Sequence, residues 1–175
     1  MEKIFETTAY HKASRKAVLE AVDCQRFHIS ENRDRRENDK LWLGDGIYFW
    51  QRYSDALYWR GRGYEEEYDI AVADLRSSAE QFLDLDTNTG IRALADFWNQ
   101  FQEDAKERET YYEFQRNKDV IAICCQVYKK FNSVLLIRYS FPEVSNRPQY
   151  CATNNDAIQN VRRYKRRERE DTYYV

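Results

Sequence analysis

Two prolines, two histidines, five glycines and one methionine are all that 175 residues hold of those types, and no apolar run exceeds a few positions. Runs such as Val134-Leu135-Leu136-Ile137 fall far short of the roughly 20 residues that cross a bilayer, so no transmembrane helix and no membrane partner are expected. Met1-Glu2-Lys3-Ile4-Phe5-Glu6 lacks a basic segment followed by an apolar stretch and a cleavage site, so a secretory signal is not expected and a cytoplasmic location is. Cys24, Cys124, Cys125 and Cys151 form no C-x-x-C pair, and His11 and His28 do not stand at zinc-ligand spacing, which speaks against a metal site. Cys124 and Cys125, inside Val120-Ile121-Ala122-Ile123-Cys124-Cys125, read as small buried hydrophobes with reduced thiols.

What remains is rich in rings and charge. Aromatic residues make up 15% and charged residues 33%, with a net charge of -2, so a packed core under a solvated surface is expected and wholesale disorder is not. The length suits one domain, 1–175, carrying a charged C-terminal segment over 161–175.

Ile4 to His11 reads as a short strand that delivers a histidine at its end. Ser14 then caps a helix whose Ala17, Val18, Ala21 and Val22 make a one-sided apolar stripe. The charged stretch from Glu31 to Lys40 reads as an exposed loop able to close over a site. A second helix is expected to begin at Ser54, run through Ala56, Leu57 and Trp59, and stop at Gly61 and Gly63. Tyr68 to Leu75 reads as a buried strand, and Phe82-Leu83-Asp84-Leu85 reads as an extension of the sheet. Ile91, Leu94, Ala95, Trp98, Phe101 and Ala105 have the strongest helical spacing in the chain.

Asp119 to Lys129 fits a buried helix or a buried strand, and the helix is the preferred reading. Ser133 to Tyr139 and Pro148 to Thr153 read as strands. The tail from Asn154 to Glu170 holds a basic run, Arg162 to Arg167, that reads first as a solvated terminal helix with i,i+4 charge pairs and second as a phosphate contact. The sum is an α+β domain.

The segment Leu43-Gly44-Asp45-Gly46-Ile47-Tyr48-Phe49-Trp50 stands out, because its glycine pair permits close backbone approach and leads Tyr48 into an aromatic cluster. Two further places share its chain order: Tyr10-His11-Lys12-Ala13-Ser14, a strand-end histidine followed shortly by serine, and Gln149-Tyr150-Cys151-Ala152-Thr153-Asn154, a polar residue opening a late strand. In these three motifs the chain resembles the ADP-ribosyltransferases of the poly(ADP-ribose) polymerase and diphtheria-toxin type.

That resemblance implies a split, mixed or antiparallel sheet flanked by helices, and NAD as co-substrate without a metal. It implies catalytic roles for His11, Tyr48 and Gln149, and NAD contacts from His11, Lys12, Ser14, Gly46, Tyr48, Ser54, Tyr58 and Trp59, with Tyr48 stacking on nicotinamide and Tyr58 or Trp59 on its other face. The implied activity is cleavage of the nicotinamide–ribose bond and single transfer of ADP-ribose to a protein or nucleic-acid acceptor. A toxin or defence effector is the implied setting, with an antitoxin or inhibitor as a second partner. Three residues depart from the family pattern: Gln149 stands in place of its glutamate, Lys12 in place of a glycine and Ala56 in place of a serine. With Gln149 neutral, Glu143 is a candidate source of the missing charge, and a silent NAD- or ADP-ribose-binding or protein-interaction module is the alternative. The arginine-serine-glutamate class of transferases fits worse, since Glu65-Glu66-Glu67 has no matching Ser-Thr-Ser strand.

Overall fold

The computed structural model describes residues 3–31, 41–59, 67–101, 118–141 and 146–165. Its strands are β1 (Ile4–Ser14), β2 (Ile47–Trp50), β3 (Tyr68–Ser78), β4 (Phe82–Asp84), β5 (Leu136–Phe141), β6 (Arg147–Ala152) and β7 (Ile158–Arg163). Its helices are α1 (Arg15–Cys24), α2 (Tyr53–Tyr58), α3 (Asn88–Phe101) and α4 (Lys118–Phe131). The strands form one mixed sheet in the order β4-β5-β6-β2-β1-β3-β7, with only β4 and β5 parallel. Helices flank this sheet, as an α+β fold requires. Among the described residues no helix is long and apolar enough to cross a membrane.

Alternation along the strands divides the core into two faces. Ala9, Ile47, Phe49, Leu136, Tyr150 and Ala152 pack with Val18 and Ala21 of α1. On the opposite face, Ile137, Tyr139, Phe141 and Cys151 pack with Leu94 of α3 and Ile121, Cys124 and Cys125 of α4. The run around Cys124 is therefore a helix, and its buried residues recur at Ile121, Cys124 and Cys125 as one helical face demands.

β1 and β3 pair over their whole lengths, from Ile4↔Ser78 to Ser14↔Tyr68. β1 and β2, by contrast, are registered at Tyr10↔Trp50 alone. The sheet splits beyond that pair, and Nδ1 of His11 bonds the Tyr48 carbonyl there.

Several expected boundaries move. β1 continues to Ser14, whose hydroxyl accepts the Ala17 N–H and caps α1 as expected. α2 begins at Tyr53, and its cap position is Arg52. β5 begins at Leu136 and β6 at Arg147, one residue before Pro148. The larger correction is the tail, where the expected helix is the edge strand β7. A β-bulge explains the misreading: three steps from Gln159 to Arg162 oppose two steps from Asp74 to Val72, and Asn160 adopts a φ of 51°. The extra residue puts the buried Ile158 and Val161 three apart, which imitates helical spacing. Asn32 to Lys40, Gly61, Gly63, Glu65, Glu66, Ala105, Glu143 and 166–175 lie outside the described residues.

Candidate functional site

β6, β2 and β1 are consecutive neighbours in the sheet, so the three motifs met in sequence become adjacent in space. Their side chains do not all meet. Tyr48, Trp50, Gln149 and Cys151 share one face, while His11 lies with Phe49 on the other.

His11 is packed edge-on between Phe27 and Phe49, with ring centroids at 4.8 and 5.5 Å. Its Nδ1 stands 2.7 Å from the carbonyl oxygen of Tyr48. A carbonyl only accepts, so Nδ1 carries the proton and Nε2 of the neutral ring is an acceptor. Burial lowers the imidazole pKa from its ordinary 6.5, although the bond to Tyr48 opposes the shift. In the unfolded chain the imidazole protonates first on acidification, so just below pH 6.5 the unfolded state binds more protons and stability falls. Urea unfolding at about pH 7.5 and about pH 5.5 should show a loss for the wild type that His11→Gln lacks in part. Equal losses in both proteins would contradict a buried neutral His11.

Tyr48 is held within its own loop. Its hydroxyl accepts the Leu43 N–H at 2.8 Å and donates to the Gly44 carbonyl at 2.7 Å. Burial, with Cys151 alongside, raises the phenol pKa well above 10.0, so the hydroxyl stays protonated. α4 clamps the same loop: Gln126 accepts the Asp45 N–H and donates to the Asp45 carboxylate, each at 2.7 Å, and Lys129 donates to the Leu43 and Asp45 carbonyls. The close approach that Gly46 permits is to Cys151 and Ala152 of β6. The glycine pair thus seats the loop on the protein itself.

Gln149 lies at the centre of the sheet between Trp50 of β2 and Tyr139 of β5, its registered neighbours. From Trp50 a chain of ring contacts leads to Trp59 at 5.3 Å, to Trp42 at 6.0 Å, to Phe141 at 4.8 Å and to Tyr139 at 4.5 Å. The circuit closes on Gln149. Only 4% of Gln149 is exposed, which places a polar side chain among these rings.

The remaining expected contacts surround α2. Lys12 donates through Nζ to the Leu57 and Trp59 carbonyls, both at 3.0 Å, and so fixes the end of α2. Trp59 is 39% exposed and contributes its indole to the circuit, whereas Tyr58 is 69% exposed and lies under the guanidinium of Arg147 at 5.3 Å. Ser54 is exposed on α2, and the Ser14 hydroxyl is used by the α1 cap. On the flank of α2 toward β3 a cleft of about 300 Å³ is lined by Lys12, Tyr53, Leu57, Tyr68 and Tyr164, with Tyr53 and Tyr164 stacked at 4.2 Å.

Three contributors escaped the sequence reading: Asp55, Gln126 and Lys129. The bonds from α4 to the loop span 81 to 86 residues, and no local pattern announces such pairs. Asp55 had a signal, an acid on the buried side of a helical stripe beside Ala56. No protein-family model matches the chain, and no curated protein sequence matches it.

Proposed function

We propose that the chain is an NAD-dependent mono-ADP-ribosyltransferase that cleaves the nicotinamide–ribose bond and transfers ADP-ribose to a macromolecule. The observation that carries this reading is the placement of Gln149 between Trp50 and Tyr139, where neighbouring β6, β2 and β1 bring the three motifs together. Its chemistry fits the co-substrate: the rings accept a planar heteroaromatic leaving group, and the amide hydrogen-bonds a ribose hydroxyl. The split between β1 and β2 supports it as well, because the sheet ladder stops at Tyr10↔Trp50 beside the strand that carries His11 and Lys12. Trp59 is the stacking residue on the α2 side, and Tyr48 holds the loop that faces it.

The work of such a site is positioning and electrostatics. Trp50, Trp59 and Trp42 exclude water, and Gln149 orients the sugar. The proposed setting is a cytoplasm, as a toxin or defence effector, with a neutralising protein as partner. A silent NAD-binding module is the second reading, favoured by the neutral side chain of Gln149. Arg162 and Arg163 are paired with Asp74 and Asp69, so these two cations do not favour nucleic acid over protein as acceptor.

Labelled NAD offered with separate pools of RNA, DNA and protein tests the reading. Label transfer with nicotinamide release is expected, and Gln149→Ala should lower both about tenfold, the value of one lost hydrogen bond. Binding by calorimetry without turnover would move the conclusion to the silent module, and absence of both would overturn it.

A further inference from the structure

A second aromatic assembly lies on the sheet face of Trp50, across α2 from the tryptophan circuit. Tyr10 is registered with Trp50 and Lys12 with Ile70, so Tyr10 and Lys12 share that face. Tyr164 follows β7, donates its N–H to the Ile70 carbonyl, and packs with Ile70 and Tyr53. The rings of Tyr53 and Tyr164 stack at 4.2 Å with planes 22° apart, and Tyr10 stands edge-on to both at 6.1 and 6.0 Å. Both stacked rings line the cleft of about 300 Å³, together with Leu57, Ile70 and Tyr68. The helix that carries Tyr53 and Leu57 is fixed twice over: Asp55 pairs with Arg147 of β6 at 3.5 Å, and Nζ of Lys12 donates to the Leu57 and Trp59 carbonyls. The rings are therefore held in place before any ligand arrives, which lowers the ordering cost of binding.

Leu57 and Tyr68 are exposed, and a contiguous exposed apolar patch marks an interaction surface. The cleft's volume stands at the lower end of the range of about 300–1,000 Å³ for ligand sites, enough for one planar ring system. A quaternary ammonium ligand is disfavoured, because the Lys12 cation already stands 5.1 Å from the centre of the Tyr68 ring. A small anion is disfavoured by the Asp69 carboxylate in the lining. A neutral, flat ring meets neither objection. The setting of Tyr164 adds the second half of the argument, since five of the six residues from Arg162 to Arg167 are cationic. Arg162 and Arg163 neutralise Asp74 and Asp69, which removes two sources of repulsion for a phosphate chain, and Lys165 is exposed immediately after Tyr164. A flat ring on a polyanionic backbone is the ligand that suits stacked tyrosines followed by cations.

We infer that this cleft binds single-stranded nucleic acid, one base stacking against the Tyr53–Tyr164 pair while the adjoining phosphates pass Lys165. A duplex is excluded as ligand because its bases are already stacked on one another and offer no free face. Stacking of this kind tolerates any base, so affinity rather than sequence preference is the property the site confers. The inference goes beyond the transferase reading and stands without it.

The test titrates fluorescein-labelled mixed-sequence single-stranded DNA and RNA of about 15 nucleotides, and the matching duplexes, into the full chain and follows anisotropy. Single strands should bind at least about tenfold more tightly than duplexes. Tyr164→Ala should weaken single-strand binding at least about tenfold, and Tyr164→Phe should stay within about threefold of wild type, because the stacking face persists. Lys165→Gln should lower the slope of log affinity against log salt by about 0.7, the share of one phosphate contact on a single strand. Photocrosslinking of the wild type to a strand carrying 5-iodouracil, mapped by mass spectrometry, gives an answer that needs no folded variant: the adduct should fall on Tyr53, Tyr68 or Tyr164. Absence of single-strand binding, equal affinity for duplex, or adducts confined to other residues overturns the inference. Displacement of no strand but occupation of the cleft by a tryptophan-containing peptide, seen as protection of these tyrosines, overturns it in favour of a protein ligand. None of these measurements uses NAD, so the outcome leaves the transferase reading untouched.

Discussion

Gly46→Ala should destabilise the fold by about 2–3 kcal/mol, the upper range for a methyl group forced into filled space. A Cβ at this position would collide with the Cys151 sulfur and stand 2.8 Å from the Ala152 carbonyl oxygen. Retreat is blocked on the other side, since the Gly46 N–H and carbonyl both bond to Ser30, at 2.9 and 3.0 Å. One of the obstructing atoms belongs to the backbone of β6, which is itself paired to β5, so no rotamer change relieves the overlap. Denaturant unfolding reads the loss directly. A decrease below about 1 kcal/mol would mean that β2 and β6 separate more easily than their register implies. The same strain should reach Tyr48, because the loop it bonds begins two residues before Gly46.

This use of Gly46 shows what was legible in the sequence and what was not. The special backbone at 44–46 is visible as two glycines, and Gly44 indeed adopts a φ of 75°. The reason for it is not visible, because Cys151 and Gln126, the residues that crowd this loop, lie about a hundred positions away. Periodicity located α1, α3 and most strands, since burial of one helical stripe or one strand face leaves its period in the chain. It failed at β7, where the bulge at Asn160 replaces a period of two with spacing of three. At the site, the sequence showed residue types but not the sheet faces they occupy. His11 and Tyr48 differ by a sheet face because the antiparallel register Tyr10↔Trp50 sets His11 with Phe49, and register between distant strands leaves no local mark in the sequence. Asp55 was passed over because an acid near a helix start ordinarily serves the helix dipole.

These contacts also decide which residue tests ligand binding cleanly. Tyr48→Ala would remove both loop hydrogen bonds and a core ring, so lost activity in that variant would report lost structure. Trp59→Ala avoids this confusion. Its backbone N–H bonds to the Asp55 and Ala56 carbonyls and its own carbonyl receives Lys12, and none of these bonds involves the indole. The half-exposed indole contributes modestly to the core, and the melting temperature should drop by no more than a few degrees, about 1 kcal/mol in stability.

The expected effect on function is larger. A ring stacked against a planar ligand contributes about 1–3 kcal/mol, so kcat/KM for nicotinamide release should fall about 10- to 100-fold in Trp59→Ala. Trp59→Phe should recover most of it, because the stacking surface persists while the indole N–H does not. If instead Trp59→Ala turns over like the wild type and melts far lower, the contacts to Trp42 and Trp50 are core packing alone. Gln149 would then be a polar side chain among rings that never receive a ligand, and Gln149→Leu would add apolar contact there and stabilise the fold. Opposite signs are therefore expected from the two variants. In a binding site Gln149→Leu loses activity with little gain in stability, and in a plain core it gains stability with no activity to lose.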